Sequence, residues 1–460
     1  MENNLAVFGS PIDKGAFDQI VALMHDERAV RGALMADHHL GYSMPIGGVI
    51  AYQDAVSPSG VGYDIACGNM AVKTNINVFA LGAGVNSVHG KIMPDYNTVK
   101  NIMREIQRTV AFGMGRNNPV PVDHELFDDD LWTWIDAELP KGLKDKARDQ
   151  LGTVGSGNHY VDLLVDTTGH IWIANHFGSR GLGHTIATAF FAANKGLPFS
   201  ERVGEVAEEA TIFDTNSYLG EQYLQCMDLA GRYAYAGREF VIQQVLNILG
   251  AQATWTVHNH HNFAWFENGL WVVRKGATPL TAEPAYIGGS MGDASFIVSG
   301  VTPRLQGTVS GNLRDLGEVQ DLGNIGSAPH GAGRIMSRTK AAGKVRKMWV
   351  CPNRNCSFEP IRSTSGESGH PSNHCPLCKI PLRRERVRDT TDALIDWDAV
   401  RADLKAQGIV VLGAGADEAP GVYKRLEEVL AAHSNIEILE RLDPIGVVMA
   451  GPDERDDYKD

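Results

Sequence analysis

The chain has no apolar run of about 18 residues, so nothing in it reads as a membrane-spanning helix, and no membrane partner is expected. Its opening, MENNLAVFGSPIDKG, has neither the basic start nor the apolar stretch of an export signal. It lacks an excess of positive charge: 42 Lys and Arg stand against 55 Asp and Glu, a formal net charge of −13. That excludes a protein that grips nucleic acid over its whole surface, though not one with a local basic groove. There is no internal repeat and no low-complexity tract. Cysteine is scarce, six residues in 460, and is expected in a reducing cytoplasm, where clustered thiols more often bind metal than form disulfides.

What is present is a soluble composition, 43% hydrophobic and 21% charged, on a chain long enough for a large core. Fifty glycines imply many tight turns, as in a loop-built site. The opening third, with GALMADHHLGYSMPIGGVIAY, reads as strands joined by loops. Residues 97–113 and 125–150 have helical spacing, and 185–250 reads as two or three helices. ATWTVHNHHNFAWFENGLWVVRKG places β-branched and aromatic runs around an ENG turn, which predicts a hairpin. Two cationic stretches, Arg334–Arg338–Lys340–Lys344–Arg346–Lys347 and Arg383–Arg384–Arg386–Arg388, read on charge alone as solvated helix faces, with a basic groove as the other reading.

Residues 348–388 differ in texture. Cys351 and Cys356 form one pair and Cys375 and Cys378 another, separated by a Ser/Gly-rich loop, which suits one structural, tetrahedral zinc ion. His370 and His374 are competing ligands, and four unrelated buried cysteines are the bland alternative. With so little apolar core, metal binding would supply most of this segment's folding free energy, on the order of 10 kcal/mol.

The chemistry-bearing residues lie in Gly-bounded strings. GVGYDIACGNM holds Asp64 and Cys67; VGSGNHYVD holds His159; HFGSRGLGH opens on His176 at an expected strand end; VHNHHNFAWFE holds His261. Singly, each histidine is more often a satisfied polar side chain than a ligand. Together the five are too many for one open ion and fit two ions sharing the Cys67 thiolate, a pairing suited to phosphoryl chemistry. His330 lies in PHGAGR, with Arg334 and Arg338 beyond it; a helix starting there would offer free N–H groups to a phosphate. Its imidazole then reads as a general acid–base or a phosphoryl nucleophile, against a plain capping role. GGSMGDAS at 288–295 is a second loop suited to phosphate or ribose.

These strings, from MADHHLG at 35–41 to the Pro444–Gly451 region, resemble the RtcB family of GTP-dependent RNA ligases. The resemblance implies an α/β (α+β) fold with mixed sheets around a dinuclear metal site, with 1–347 and 389–451 separated by the cysteine-rich segment as an insertion; the residues 452–460 read as an acidic tail whose DYKD end is tag-like. It implies two manganese ions on Asp64, Cys67, His159, His176 and His261, and GTP attacked by His330 to give a covalent histidine–GMP. Asn158, Asp162, Asn262, Ser290, Ser295, Gly331 and Tyr423 would contact the guanylate, and Arg180, Arg334 and Arg338 would hold RNA phosphates. The partners implied are RNA with 3′-phosphate or 2′,3′-cyclic phosphate ends, RNA with 5′-hydroxyl ends, and an archease-like activating protein; a monomer is expected. Three residues depart from the family pattern: Met449 stands for a lysine, Asp162 for a glutamate and Gly288 for a proline. Met449 and Asp162 motivate a second reading, a divergent paralogue working as a metal-dependent cyclic phosphodiesterase or on another nucleotide. A third is a non-catalytic RNA-binding protein.

Overall fold

The computed structural model describes residues 4–82, 93–201, 210–301, 323–353, 355–362 and 374–451. The tail 452–460, His370 and most of the loop between the cysteine pairs lie outside the described residues. The architecture is mixed α/β. Its largest sheet runs, in order, Ala285–Ile287, Ser295–Gly300, Ile436–Met449, Tyr160–Asp166, His170–Phe177, Gly68–Asn77 and Ala253–His260, with Val410–Leu412 added parallel to Ile436–Met449. YVDLLVD and HIWIANHF are buried almost end to end because both faces of this sheet are covered. Val99, Met103 and Ile106 of the Tyr96–Thr109 helix and Val241, Ile242 and Val245 of the Tyr218–Leu249 helix pack on one face. Trp172, Val257, Tyr286 and Ile297 fill the other.

A second sheet orders Leu5–Val7, Ala29–His39, Ile46–Tyr52, Leu270–Lys275 and Asn262–Glu267. The expected hairpin is there: Glu267 pairs Leu270 around Asn268 and Gly269, whose φ values of 49° and 81° match the right-handed twist of the strands. One residue, His261, separates the last strand of the first sheet from the first strand of this hairpin. The two sheets therefore meet at a candidate ligand.

Three local expectations are corrected. The opening third contains a helix, Lys14–Leu23, which Asp13 caps through Ala16 N–H and which buries Ala16, Ile20 and Leu23. Only Arg338 and Lys340 of the cationic stretches lie on a helix, the short Arg338–Ala342, and from Lys344 on the stretches form strands rather than helix faces: Lys344–Val350 pairs antiparallel with both Ile361–Arg362 and Arg383–Asp389. No helix starts at His330. The first helical turn after it is the short Arg338–Ala342, capped by Ser337. Gly333, at φ 72°, lies so close to Asp37 that a Cβ would sit 2.0 Å from the Asp37 carbonyl oxygen, so this turn of the PHGAGR string requires glycine.

Candidate functional site

Neighbouring strands bring the ligand candidates into one row. Tyr160, His176, Asn69 and Asn259 pair in succession across four strands. His159, Cys67 and His261 lie beside the ends of those strands, and His261 N–H donates to the Cys67 carbonyl at 2.8 Å. Cys67 Sγ is 3.2 Å from His176 Nε2 and 3.6 Å from His159 Nε2, while Asp64 Oδ2 is 3.0 Å from His159 Nε2. Two sets of donors result, Cys67–His176–His261 and Asp64–Cys67–His159, each within 4.8 Å. They share only the thiol. Two glycines make room: a Cβ at Gly178 would lie 2.1 Å from Asp64 Oδ1, and one at Gly155 would lie 2.1 Å from His159 Nδ1.

The donor chemistry fits metal. His159 turns Nε2 to Asp64 and Cys67, and His261 Nδ1 is buried with no hydrogen-bond partner, an arrangement rare without a ligand to take the lone pair. Burial, then the neighbouring imidazoles, holds His176 and His261 well below the ordinary histidine range, so both are neutral and able to ligate. Burial and the Asp64 charge push the Cys67 thiol up, a balance that a bound cation reverses. Burial alone would raise Asp64, but its contact with the His159 ring outweighs that and keeps it ionised.

His330 stands beside this cluster, its ring centroid 4.8 Å from that of His261. Its Nδ1 is 2.7 Å from Asp37 Oδ2, and the same oxygen accepts the backbone N–H of His330 at 3.0 Å and Gly331 at 3.4 Å. The N–H groups expected to receive a phosphate are thus turned to a carboxylate. Burial pushes Asp37 up, and the His330 hydrogen bonds more than offset it, so the group stays anionic. An anionic acceptor on Nδ1 fixes the proton there and leaves Nε2 with the lone pair. We expect Asp37→Asn to slow any nucleophilic step at His330 by about 10²–10⁴-fold at unchanged metal content, measured by single-turnover kinetics.

A cavity of about 1330 Å³ holds these groups together with Asn158, Asp162, Asn262, Ser290, Gly331 and Tyr423. Ser295 is not in its wall: it is buried behind the loop, bonded to Tyr286 Oη and to Gly289 N–H. Both ends of the Asn262 amide are engaged, by the Asp64 carbonyl and by Gly276 N–H. Ser290 bonds to Asp293. Asp162 is buried, with Oδ1 unpartnered, and burial raises its pKa well above the usual range, so it is a neutral acid. Met449 lies in the same wall and pairs with Tyr160 on the adjacent strand. Arg180, Arg334 and Arg338 also face the cavity. Arg180 bonds to Thr153 and the Gly113 carbonyl; Arg338 is ion-paired with Asp417 and Glu418, and Arg334 with Glu418 at 3.5 Å while its guanidinium covers the Tyr423 ring.

Sequence reasoning missed three residues. Asp37 is 293 positions from His330, and only the packing of the Ala29–His39 strand against the Ser327–Pro329 segment brings them together. Arg238, fully buried, donates to the Ala66 and Phe177 carbonyls and contacts His258 and His260, so it braces the segments that carry three ligands. Lys275, in the cavity wall, donates to the Tyr42 carbonyl, and burial lowers its pKa to about 7. In the sequence it was one more lysine of a strand.

Away from the cavity, the Sγ atoms of Cys351, Cys356, Cys375 and Cys378 lie within 4.8 Å of one another, close enough for one tetrahedral ion and with no disulfide among them. His374 is outside this cluster. Substituting Cys375 by Ala should release the ion and melt the three-stranded ribbon while the main sheets keep their transition; metal analysis and protease sensitivity near 344–389 check both.

The fold and the donor sets define a mixed α/β protein whose metal-type cluster and histidine share one cavity. A family model described as tRNA-splicing ligase RtcB matches residues 19–354, and the chain belongs to that family. It is 30% identical to the RNA-splicing ligase RtcB of Escherichia coli K12 over 67% of this chain and 75% of that one. It is 29% identical to the tRNA-splicing ligase RtcB of Archaeoglobus fulgidus (73% and 79% covered), and 25% identical to that of Thermococcus kodakarensis (94% and 93% covered). No described helix is long and apolar enough to cross a membrane.

Proposed function

We propose that the protein is a GTP- and manganese-dependent RNA ligase that joins 3′-phosphate or 2′,3′-cyclic phosphate ends to 5′-hydroxyl ends through a His330–GMP intermediate. The observation that carries this reading is the placement of His330, with Asp37 on Nδ1, beside two donor sets that share Cys67. Two manganese ions held by Asp64, Cys67, His159, His176 and His261 would neutralise charge on the phosphoryl oxygens. His330 Nε2 attacks the α-phosphorus of GTP, the bond to pyrophosphate breaks, and Asp37 stabilises the cationic ring through Nδ1–H. An oxygen of the RNA 3′-phosphate then takes the guanylyl group, and the His330 nitrogen leaves with its electron pair. The 5′-hydroxyl finally displaces GMP, forming the 3′,5′-phosphodiester.

Asn158, Asp162, Asn262, Ser290, Gly331 and Tyr423 are assigned to the guanylate. Arg180, Arg334 and Arg338 are assigned to RNA phosphates, the last two after release from Asp417 and Glu418. One observation favours a second reading, cyclic phosphodiester hydrolysis or a different nucleotide: the cavity wall carries the apolar Met449 and the neutral Asp162. The zinc assigned to the four ribbon cysteines is structural, and the six free thiols suit the cytoplasm. The test is a joining assay with GTP and manganese. A 3′-phosphate strand and a 5′-hydroxyl strand should give joined RNA, and a 3′-hydroxyl/5′-phosphate pair should not. Joining of the second pair alone, or only hydrolysis of a cyclic end, would overturn the ligase reading.

A further inference from the structure

The ribbon divides its charges between its two faces. Paired residues of antiparallel strands point to the same side, and alternate residues to opposite sides. Val345, Lys347 and Trp349 therefore share a face with their partners Arg388, Arg386 and Arg384, and with Ile361. Among the described strand residues, this face has four cations and no carboxylate. On the opposite face, Asp389 takes both Arg346 and Arg362. Among the described residues, Lys347, Arg384, Arg386 and Arg388 form no ion pair; the recorded bond of Arg388 is to the Gly343 carbonyl at 3.1 Å.

Lys347 and Arg386 stand directly opposite each other. Like charges in that position destabilise a sheet, and in a chain of net charge −13 the carboxylates to relieve them are plentiful. An anionic partner would remove the repulsion. The same face exposes Val345 and Ile361, 49% and 45% accessible, beside the half-buried Trp349 ring, so it offers apolar contact between the charges. Alternating cations with apolar and aromatic surface suit an RNA strand, whose phosphates and bases need both. The face also begins where the cavity ends: Arg338 and Lys340 of the Arg338–Ala342 helix line the cavity, and the Lys344–Val350 strand follows after one residue. A seven-residue strand extends roughly 20 Å from there.

We propose that this ribbon face binds the phosphodiester backbone of the RNA substrate beyond its reacting end, an inference that rests on the RNA-ligase reading. Two double variants of the full, zinc-loaded chain test it. Lys347→Ala/Arg386→Ala removes two cations from this face, and Lys344→Ala/Arg383→Ala removes two from the other. Affinity for a fluorescent single-stranded RNA ending in a 3′-phosphate is followed by anisotropy across a salt series, with thermal melting as the folding control. The first variant should bind about tenfold more weakly at physiological salt, and its slope of log K against log salt should fall by about 1.4, at about 0.7 per phosphate lost. The second should stay within about twofold. Equal losses in both variants would reduce the effect to bulk charge and overturn the proposal. No loss in either would also overturn it and leave the face to a protein partner. The binding measurement needs no turnover: a chain that binds RNA in this face-specific way but joins no ends sinks the ligase reading and not the ribbon surface.

Discussion

Cys67→Ala is expected to empty both metal positions, whereas His159→Ala empties one. The reason is the connectivity of the two donor sets. His176 and His261 belong to one, Asp64 and His159 to the other, and Cys67 is in both. Removing His159 leaves Cys67–His176–His261 intact, while removing the thiol leaves two incomplete pairs. The substitution is sterically mild, since Cys67 is a small buried side chain on a backbone held by its own hydrogen bonds to His261 and Asn262. Melting should therefore shift little while RNA joining falls by at least about 10³-fold, because each ion contributes several kcal/mol of charge stabilisation. Metal analysis after dialysis against manganese decides it. Two ions retained by Cys67→Ala would show that the thiol is not shared.

His330→Ala should do the reverse, leaving both ions in place and abolishing joining. His330 belongs to neither donor set, and its hydrogen bonds go to Asp37. Its loss removes the nucleophile, and joining should drop by at least about 10⁴-fold, with no label transferred to the protein from α-labelled GTP. Hydrolysis of a 2′,3′-cyclic phosphate, which needs no guanylyl group, should persist. Activity split in this way separates the metal half of the site from the nucleotide half. Joining that survived the substitution would place the nucleophile elsewhere.

Much of this site was legible because its residues sit in Gly-bounded turns at strand ends, where local sequence and local structure coincide. His176 ends its strand as the HIWIAN run predicts, and the ENG turn makes its hairpin. The four ribbon cysteines cluster for the same local reason. What was not legible depends on partners distant in sequence. The PHGAGR string looks like a helix start until Asp37 is placed against it, and then its N–H groups have another acceptor. Arg334 and Arg338 read as open phosphate ligands, but Asp417 and Glu418 arrive from about 80 residues away to pair with them. Most of the basic residues read as helical because charge carries no period by itself; cross-strand pairing makes Lys344–Val350 and Arg383–Asp389 strands, and only Arg338 and Lys340 sit on a helix. Ser295 lies in a suggestive Gly/Ser string yet points to Tyr286. Even the Lys14–Leu23 helix was obscured by Gly9 and Pro11 just before it and Gly15 in its first turn.

The central claim, a guanylyl group carried on His330 between GTP and an RNA end, has one direct test. The protein is incubated with manganese and α-labelled GTP, freed of nucleotide, and then given unlabelled RNA with a 3′-phosphate end and a 5′-hydroxyl end. The account predicts an acid-labile, alkali-stable label on His330 that leaves as GMP when RNA is added, in step with the joined product. Joined RNA formed while the protein never carries label, or label that stays on the protein through the chase, would contradict it.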